Sequence, residues 1–260
     1  MKDRISALLT RPHIAWAMGA ALLVAIALLL WQTFSPLDPA SRLRQGERAA
    51  IEAVVHDYIL EHPEIIPEAI NRLQTRAISN LLDANRKDIE TPYAGAWAGA
   101  KDGDVILVEF FDYNCPYCKV MHGELQQLLA QDKKLKIVYR DYPVLGETSM
   151  EAAMASLSAA RQGRYPAFQK YLLSVKGQVT AEHIVAAVRA AGMNELQTAQ
   201  DMRSSALRAE LQKNRELGSA LGLTGTPSYV VGNSILSGAK SHEELRKAIA
   251  DVRTARKKAS

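Results

Sequence analysis

The chain has 260 residues, of which 48% are hydrophobic and 23% are charged, a composition that is ordinary for a globular protein. The formal net charge at pH 7 is +4, which is too small an excess of positive charge to predict nucleic-acid binding. The chain contains only two cysteines, three positions apart, which excludes a framework of structural disulfides and favours a reactive pair in an oxidising compartment.

Residues 1–34 are predicted to form a short cytoplasmic segment and a membrane anchor. Residues 14–31 carry no charged side chain, and a helix of that length spans about 27 Å, close to the hydrocarbon thickness of a bilayer. The preceding Lys2, Arg4 and Arg11 are expected to stay in the cytoplasm. A cleaved signal peptide is the alternative, although no A-x-A-like cleavage site follows the apolar segment. Both interpretations export the rest of the chain.

A linker and a short helical region are predicted over residues 35–91. Apolar side chains within residues 51–59 share one helical stripe, and a second helix, opened by Pro67, repeats apolar residues at helical spacing as far as Leu81. This region is too small to bury a core of its own. Its apolar faces must pack on the main domain or on other copies of the chain, so residues 47–82 are a candidate surface for a homo-oligomer.

Residues 92–260 are predicted to form one α/β domain. Residues 91–103 have the composition of a connector, and the apolar run over residues 105–111 predicts a buried strand. A helix is predicted over residues 116–130 and a further strand over residues 135–139. These elements form a β-α-β unit, with the two cysteines at the carboxyl end of its first strand.

A helical insertion is predicted over about residues 147–221. Thr148 and Glu151 have the spacing of a capping box at its first helix. Thr180 is a candidate cap for a later helix, and one long helix is predicted from about Asn194 to Leu221.

The domain is predicted to end in a hairpin and a helix. Two short strands, over residues 228–231 and 234–236, flank Gly232-Asn233, a dipeptide typical of a two-residue hairpin turn. Ser241 and Glu244 have the spacing of a capping box for the last helix.

The sequence Cys115-Pro116-Tyr117-Cys118 opens a helix directly after a buried strand, and this placement predicts a redox-active pair. A helix N-terminus presents unpaired N–H groups and a partial positive charge, which stabilise the thiolate that attacks disulfides. Cys115 is predicted to be the more exposed sulfur and the nucleophile, whereas Cys118 resolves the mixed disulfide. No metal is predicted, because a zinc site needs two further ligands and only His122 is near. A purely structural bridge across two residues would add little stability.

The run from Val108 to Lys119 resembles the active site of DsbA-like thiol–disulfide oxidoreductases. The likeness extends over about residues 92–255 and includes Gly225-Thr226-Pro227, where thioredoxin-like proteins place a cis-proline that faces the cysteines. It implies a thioredoxin-like α/β fold with a helical insertion. Residues 51–73 resemble the N-terminal helices of a subgroup that includes the suppressor-of-copper-sensitivity C proteins, some of which oligomerise through this region.

The resemblance also implies roles for single residues. Glu109 would be a buried acid that handles the proton of Cys118, which suits a carboxyl whose pKa is raised by an apolar strand. Thr226 would contact the sulfurs, and Pro227, if cis, would leave backbone groups free to pair with an extended substrate. The residues expected at the substrate are Thr226, Pro227, Pro116 and Tyr117, and the expected disulfide joins Cys115 and Cys118.

The implied function is an enzyme that forms, reduces or isomerises disulfides in exported, cysteine-containing proteins. It would use no cofactor, and a membrane redox partner would recycle its cysteine pair. The expected location is the bacterial inner membrane, single-pass, with the catalytic domain in the periplasm, or the soluble periplasm after signal cleavage. Tyr117 departs from the histidine of strongly oxidising members, so the direction of the reaction stays open. A non-catalytic peptide-binding or copper-binding envelope protein on the same fold is the alternative.

Overall fold

The computed structural model describes residues 16, 20, 22–30 and 45–259. Residues 22–30 are helical. Within the described residues, no helix is both long enough and apolar enough to cross a membrane. The predicted anchor over residues 14–31 lies partly outside the described residues and stays a prediction.

The chain divides into two compact units, Met1–Ala69 and Ile70–Ser260. The first unit contains α1 (Gln45–Glu61), whose large apolar side chains are exposed, apart from the half-buried Ile59. The helix α2 (Ile65–Glu90) begins two residues before Pro67. Pro67 therefore lies within the first turn, where its missing N–H costs no helical hydrogen bond, and the prediction that it opens the helix was wrong by two residues.

The second unit is built on one sheet. The five described strands lie in the order β1-β3-β2-β4-β5, with β2 and β3 parallel and the other neighbouring pairs antiparallel. The central strand β2 pairs with β3 through all seven of its residues. The strands are β1 (Trp97–Gly99), β2 (Val105–Phe111), β3 (Leu135–Asp141), β4 (Ser228–Val231) and β5 (Ser234–Ser237).

Both faces of the sheet are covered, because successive residues of β2 alternate between two hydrophobic clusters. Leu107 lies in the larger cluster, together with residues of α3 (Pro116–Gln131) and α9 (His242–Ala259). Val108 lies in the second cluster, which also contains Leu82 and Ile89 of α2. Burial on both faces explains why β2 is a continuous apolar run rather than an alternating one. The second half of α2 thus packs on the main domain.

The end of α2 is held to the sheet by a buried arginine. Arg140 of β3 is 2% exposed, and its guanidinium donates hydrogen bonds to backbone carbonyls at the end of α2. It also forms a salt bridge with Glu210 at 3.2 Å. The carbonyls that accept from Arg140 are those of Asp88, Ile89 and Thr91, and the side-chain oxygen of Asn214 is a further acceptor.

The helical insertion is present but differs from the prediction in two places. The single helix predicted over residues 194–221 is two helices, because the Ser204 hydroxyl accepts a hydrogen bond from the Ala206 N–H and starts a new helix there. The capping box of Thr148 and Glu151 is not formed, since the helix already begins at Glu147. The insertion comprises α4 (Glu147–Arg161), α5 (Tyr165–Ser174), α6 (Ala181–Ala190), α7 (Glu195–Asp201) and α8 (Ser205–Ala220).

Two predicted caps are confirmed. Thr180 accepts a hydrogen bond from the His183 N–H at the start of α6. At the start of α9, the Glu244 carboxylate accepts from the N–H of Ser241, and the Ser241 hydroxyl accepts from the N–H of Glu244.

The strand β1 was missed, because three residues within an apparent connector carry too little periodicity to identify a strand.

Candidate active site

The two cysteines lie where β2 ends and α3 begins. Cys115 is the N-cap of α3, with extended backbone geometry, and Pro116 occupies the first helical position. The Cys115 N–H donates to the carbonyl of Asp112 at 3.1 Å, which tightens the turn between strand and helix. The sulfur of Cys115 is thus set at the positive end of the α3 dipole.

The exposure of the two cysteines differs less than predicted. Cys115 is 4% exposed and Cys118 is 1% exposed, so both residues are buried. The exposed residues at this helix start are Pro116 and Tyr117, and Tyr117 is 64% exposed. Both cysteines are free thiols in this structure, and the Cys115–Cys118 disulfide stays a prediction.

The loop before β4 meets Cys115. The Thr226-Pro227 peptide bond is cis, and the sulfur of Cys115 lies 3.2 Å from the carbonyl oxygen of Thr226, to which the protonated form of the thiol donates. Pro227 is buried and Thr226 is half-buried. The fold therefore brings together two segments that lie 111 residues apart in the sequence.

The pKa of Cys115 is lowered to about 5, mainly by a hydrogen bond from the Cys118 thiol. Burial opposes this shift, whereas the Thr226 side chain and the backbone N–H groups of Tyr117 and Cys118 add to it. At neutral pH the sulfur of Cys115 is therefore mainly a thiolate, the form that attacks a disulfide.

The pKa of Cys118 is shifted the opposite way. Burial raises it strongly, and the hydrogen bond to Cys115 and the charge of Glu109 raise it further. Two sulfurs one helical turn apart thus have opposite protonation states over a wide range of pH. Cys118 must lose its proton before it can act as a nucleophile.

Glu109 lies on the central strand β2 and is 2% exposed. Burial raises the pKa of its carboxyl to about 8, although the hydroxyl of Tyr229, which donates to Oε1 at 3.5 Å, lowers it somewhat. A carboxyl with this pKa exchanges protons readily near neutral pH. The charge of its ionised form also helps to raise the pKa of the Cys118 thiol.

Asp112 joins the loops around the cysteines. One carboxylate oxygen accepts from the Asn114 N–H and the Ser149 hydroxyl, both at 2.7 Å. The other oxygen accepts from the N–H groups of Val144 and Leu145 at 2.8 and 3.0 Å. The side chain therefore fixes the loop after β3 against the turn that carries Cys115.

Asn114 was missed by the sequence analysis. Its amide donates to the hydroxyls of Thr148 and Ser149, and its side-chain oxygen accepts from the Val179 N–H at 2.7 Å. Thr148 is therefore used as a tertiary acceptor rather than as a helix cap. The sequence signal was Asp112 two positions before Asn114, a spacing that favours an Asx turn directly before the cysteine.

No group of three or more His, Cys, Asp or Glu residues that could hold a metal ion occurs in the part of the chain that the structure describes. The arrangement of Cys115, Cys118 and Glu109 is suited to sulfur chemistry. The sulfur of Cys115 is charged, and the sulfur of Cys118, one helical turn away, is protonated. The buried carboxyl of Glu109 is titratable and acts electrostatically on both.

Two family models match the chain. The model described as DSBA-like thioredoxin domain matches residues 106–250, and the model described as copper resistance protein ScsC N-terminal domain matches residues 47–77. Among curated proteins, the chain is 29% identical over 138 residues to the Na(+)/H(+) antiporter NhaA 1 of Mycolicibacterium gilvum. That alignment covers 51% of this chain and 22% of the relative, so the chain spans about a fifth of the length of the curated relatives it matches.

Solved structures with the same fold cover about two thirds or more of the chain. A thioredoxin-like oxidoreductase from Silicibacter pomeroyi is 36% identical, with a TM-score of 0.63, covering 65% of this chain and 98% of that one. A linker-deletion mutant of ScsC from Proteus mirabilis is 28% identical, with a TM-score of 0.65, covering 82% and 98%. The thiol-disulfide exchange protein α-DsbA2 from Wolbachia pipientis is 27% identical, with a TM-score of 0.64, covering 69% and 98%.

Proposed function

The chain belongs to the DsbA-like thioredoxin domain family, and on that premise we propose that it exchanges disulfides in exported proteins through Cys115 and Cys118. The observation that carries the proposal is the pair of opposite pKa shifts. Cys115 is held as a thiolate at a helix N-terminus, and Cys118 keeps its proton one turn inside. A structural pair would have no need for this contrast.

The exchange proceeds in two sulfur-transfer steps. When the pair is oxidised, a substrate thiolate attacks the sulfur of Cys115, and the bond to Cys118 breaks with its electron pair on Cys118. Cys118 then takes up a proton, for which the protonated carboxyl of Glu109 is the proposed donor. A second substrate thiolate attacks the mixed disulfide and releases Cys115 as a thiolate. Two electrons pass from the substrate to the pair, and the reverse sequence reduces a substrate disulfide.

The substrate would enter beside the cis-proline. Tyr117, Val120, Val144 and Leu145 are exposed large apolar residues, and they belong to the start of α3 and to the loop that Asp112 fixes near it. An extended peptide could pair with backbone groups near Pro227 while its side chains contact these residues. Pro116 and Tyr117 are the proposed contacts on the helix side.

The test is a comparison of two single substitutions. Cys115→Ser should abolish insulin reduction and the refolding of scrambled ribonuclease. Cys118→Ser should instead accumulate a mixed disulfide with the substrate, because Cys115 can still attack but the resolving sulfur is gone. Retained activity in Cys115→Ser would contradict the proposal. The non-catalytic peptide-binding alternative would be favoured by two results together. The parent would show no turnover, and peptide binding would persist when both cysteines are replaced by serine.

The direction of the reaction depends on the stability of the reduced pair. A pKa of about 5 at Cys115 stabilises the dithiol form and therefore favours the oxidation of substrates. Tyr117 stands where strongly oxidising members carry histidine, and Tyr117→His tests its contribution. We expect the equilibrium constant with glutathione to shift toward the reduced pair in this variant. An unchanged constant would show that residue 117 does not set the redox poise.

We also propose that α1 assembles with other copies of the chain. Ile51, Val54, Val55 and Tyr58 are each about half exposed or more, and the match to the ScsC N-terminal domain covers them. Sedimentation equilibrium of the full chain should show an oligomer. Val54→Glu should dissociate it, whereas Glu61→Gln, a change of a polar residue at the end of the same helix, should not. A monomer in the unsubstituted chain would refute this proposal.

The membrane anchor over residues 14–31 is a further proposal, supported by its uncharged sequence. Carbonate extraction of cells that express the full chain should leave the protein in the membrane fraction. N-terminal sequencing of the mature protein would reveal a cleaved signal instead. The membrane redox partner stays a prediction. The test is to measure the redox state of Cys115 in cells that lack candidate quinone-linked oxidases.

A further inference from the structure

A cavity of about 630 Å³ lies on the flank of α3, bounded by α5 and by the strands β1 and β3. The proposed substrate-binding residues at the active site do not line it. Its walls combine aromatic and basic side chains. The ones that matter here are Trp97, Lys119, His122, Tyr139, Tyr165 and Lys170.

The charged side chains that line this cavity are lysines, and the nearest acid behind the lining is the buried carboxyl of Glu109, which, after burial, helps to raise the pKa of the Tyr139 hydroxyl. Lys119 and Lys170 line the cavity, and the described lining residues include no aspartate or glutamate. Neither lysine forms a salt bridge with a carboxylate in the described part of the chain. The Lys119 ammonium donates to the carbonyls of Val175 and Gly177 at 3.0 and 2.5 Å, which holds its charge in place at the edge of the cavity. Such a lining is complementary to an anion.

Two buried polar groups in the lining have no hydrogen-bond partner. The hydroxyl of Tyr139 and the Nδ1 atom of His122 are shielded from solvent and unpaired among the described residues. Tyr139 is 2% exposed, and its ring lies against that of Tyr165 with the centroids 5.7 Å apart. Buried polar groups without a partner are rare in folded proteins and each calls for an explanation. A bound ligand that accepts hydrogen bonds from both groups would explain them.

Besides the polar side chains of Gln126, Gln169 and Ser174, the rest of the lining is apolar or aromatic, which suits a ligand with an apolar body rather than a simple inorganic ion. The rings of Trp97 and Tyr165 and the side chain of Leu173 provide this surface. We propose that the cavity binds a small organic anion with an aromatic body. Its carboxylate would accept hydrogen bonds from Tyr139 and His122, and Lys170 would supply the balancing charge.

The probe for this proposal is indole-3-acetate, and its neutral isostere indole-3-acetamide controls for the apolar contacts. Isothermal titration of the reduced full chain in mild detergent, with titration into detergent alone as the blank, should show saturable binding of one indole-3-acetate per chain. The acetamide should bind at least about tenfold more weakly, because hydrogen bonds to a charged acceptor are stronger than those to a neutral one.

Matched substitutions locate the binding. Tyr139→Phe removes only a hydroxyl without a partner, so the fold should be kept while the affinity for indole-3-acetate falls about tenfold. Lys170→Met, at an exposed position, should also weaken the acetate but leave the acetamide unchanged. Tyr171→Phe and Lys176→Met are the controls, since neither residue lines the cavity, and both should bind as the parent does.

Three results would overturn the proposal. The first is no saturable binding up to the solubility limit of indole-3-acetate. The second is equal affinity for the acid and the amide. The third is unchanged affinity in both Tyr139→Phe and Lys170→Met. The proposal does not depend on the exchange chemistry, because Cys115→Ser should bind indole-3-acetate as the parent does.

Discussion

Replacing Glu109 with glutamine should change how the stability of the fold depends on pH. Glu109 is 2% exposed, and burial raises the pKa of its carboxyl from 4.5 to about 8. In the unfolded chain the same carboxyl is in water and titrates near its ordinary value. The folded and unfolded states therefore bind different numbers of protons between these two pH values.

The sign of the effect follows from which state holds the proton. Between pH 4.5 and about 8 the folded protein keeps a proton on Glu109 that the unfolded chain has released. The stability that Glu109 contributes is complete below pH 4.5 and is lost as the pH rises toward 8, at about 1.4 kcal/mol per pH unit. From pH 5 to pH 8 the loss is about 3.5 kcal/mol. Glutamine has no such proton, so Glu109→Gln should not show this loss.

The assay is urea unfolding followed by circular dichroism, on the reduced full chain at pH 5 and pH 8. The free energy of unfolding of Glu109→Gln, relative to the parent, should rise between the two pH values by about 3.5 kcal/mol. Glu216→Gln, at an exposed position, controls for the loss of one negative charge. The comparison is repeated with Cys115→Ser, because the Cys115 thiolate titrates in the same range. A difference between parent and Glu109→Gln that is the same at both pH values would refute the reasoning.

Three further predictions concern the frame of the site. Arg140→Met should lower the free energy of unfolding by about 3 kcal/mol in the same urea titration, because it leaves buried acceptors unpaired. The control is Lys213→Met, which breaks an exposed ion pair and should leave the free energy of unfolding almost unchanged. Asp112→Asn should raise hydrogen exchange at the loop after β3, measured by mass spectrometry, and equal protection would contradict the assigned role. Gly218→Ala should cost about 1–3 kcal/mol, seen as a lower Tm, because its Cβ would lie 2.6 Å from the ring of Tyr142.

The sequence was sufficient to predict the elements that carry the cysteines. A continuous apolar run predicted β2, and Pro116 after Cys115 predicted the start of α3, because both signals are local and strong. The Thr226-Pro227 loop was placed near the cysteines by family resemblance alone. Nothing in the residues between the two segments indicates that contact, which forms only when β4 pairs with β2.

Features that depend on tertiary contacts were not predictable. The hydroxyl of Thr148 had the right spacing for a cap, but Asn114 uses it as a hydrogen-bond acceptor. The break before α8 depends on one serine, Ser204, within a sequence of otherwise helical periodicity. The burial of Cys115 was underestimated because the Thr226 loop covers it from a distant part of the chain.

The contrast between the two sulfurs implies an order of events for any captured client. Cys115 is charged before the client arrives, whereas Cys118 cannot displace the client until it has given up a proton. A client joined to Cys115 would stay joined for as long as that proton remains in place. Glu109 is the proposed acceptor of this proton, and burial raises its pKa to about 8, so acidification would lengthen the time for which the client stays joined. A lower pH would thus lengthen the lifetime of the mixed disulfide, and with it the time in which a client can exchange one cysteine pairing for another before release.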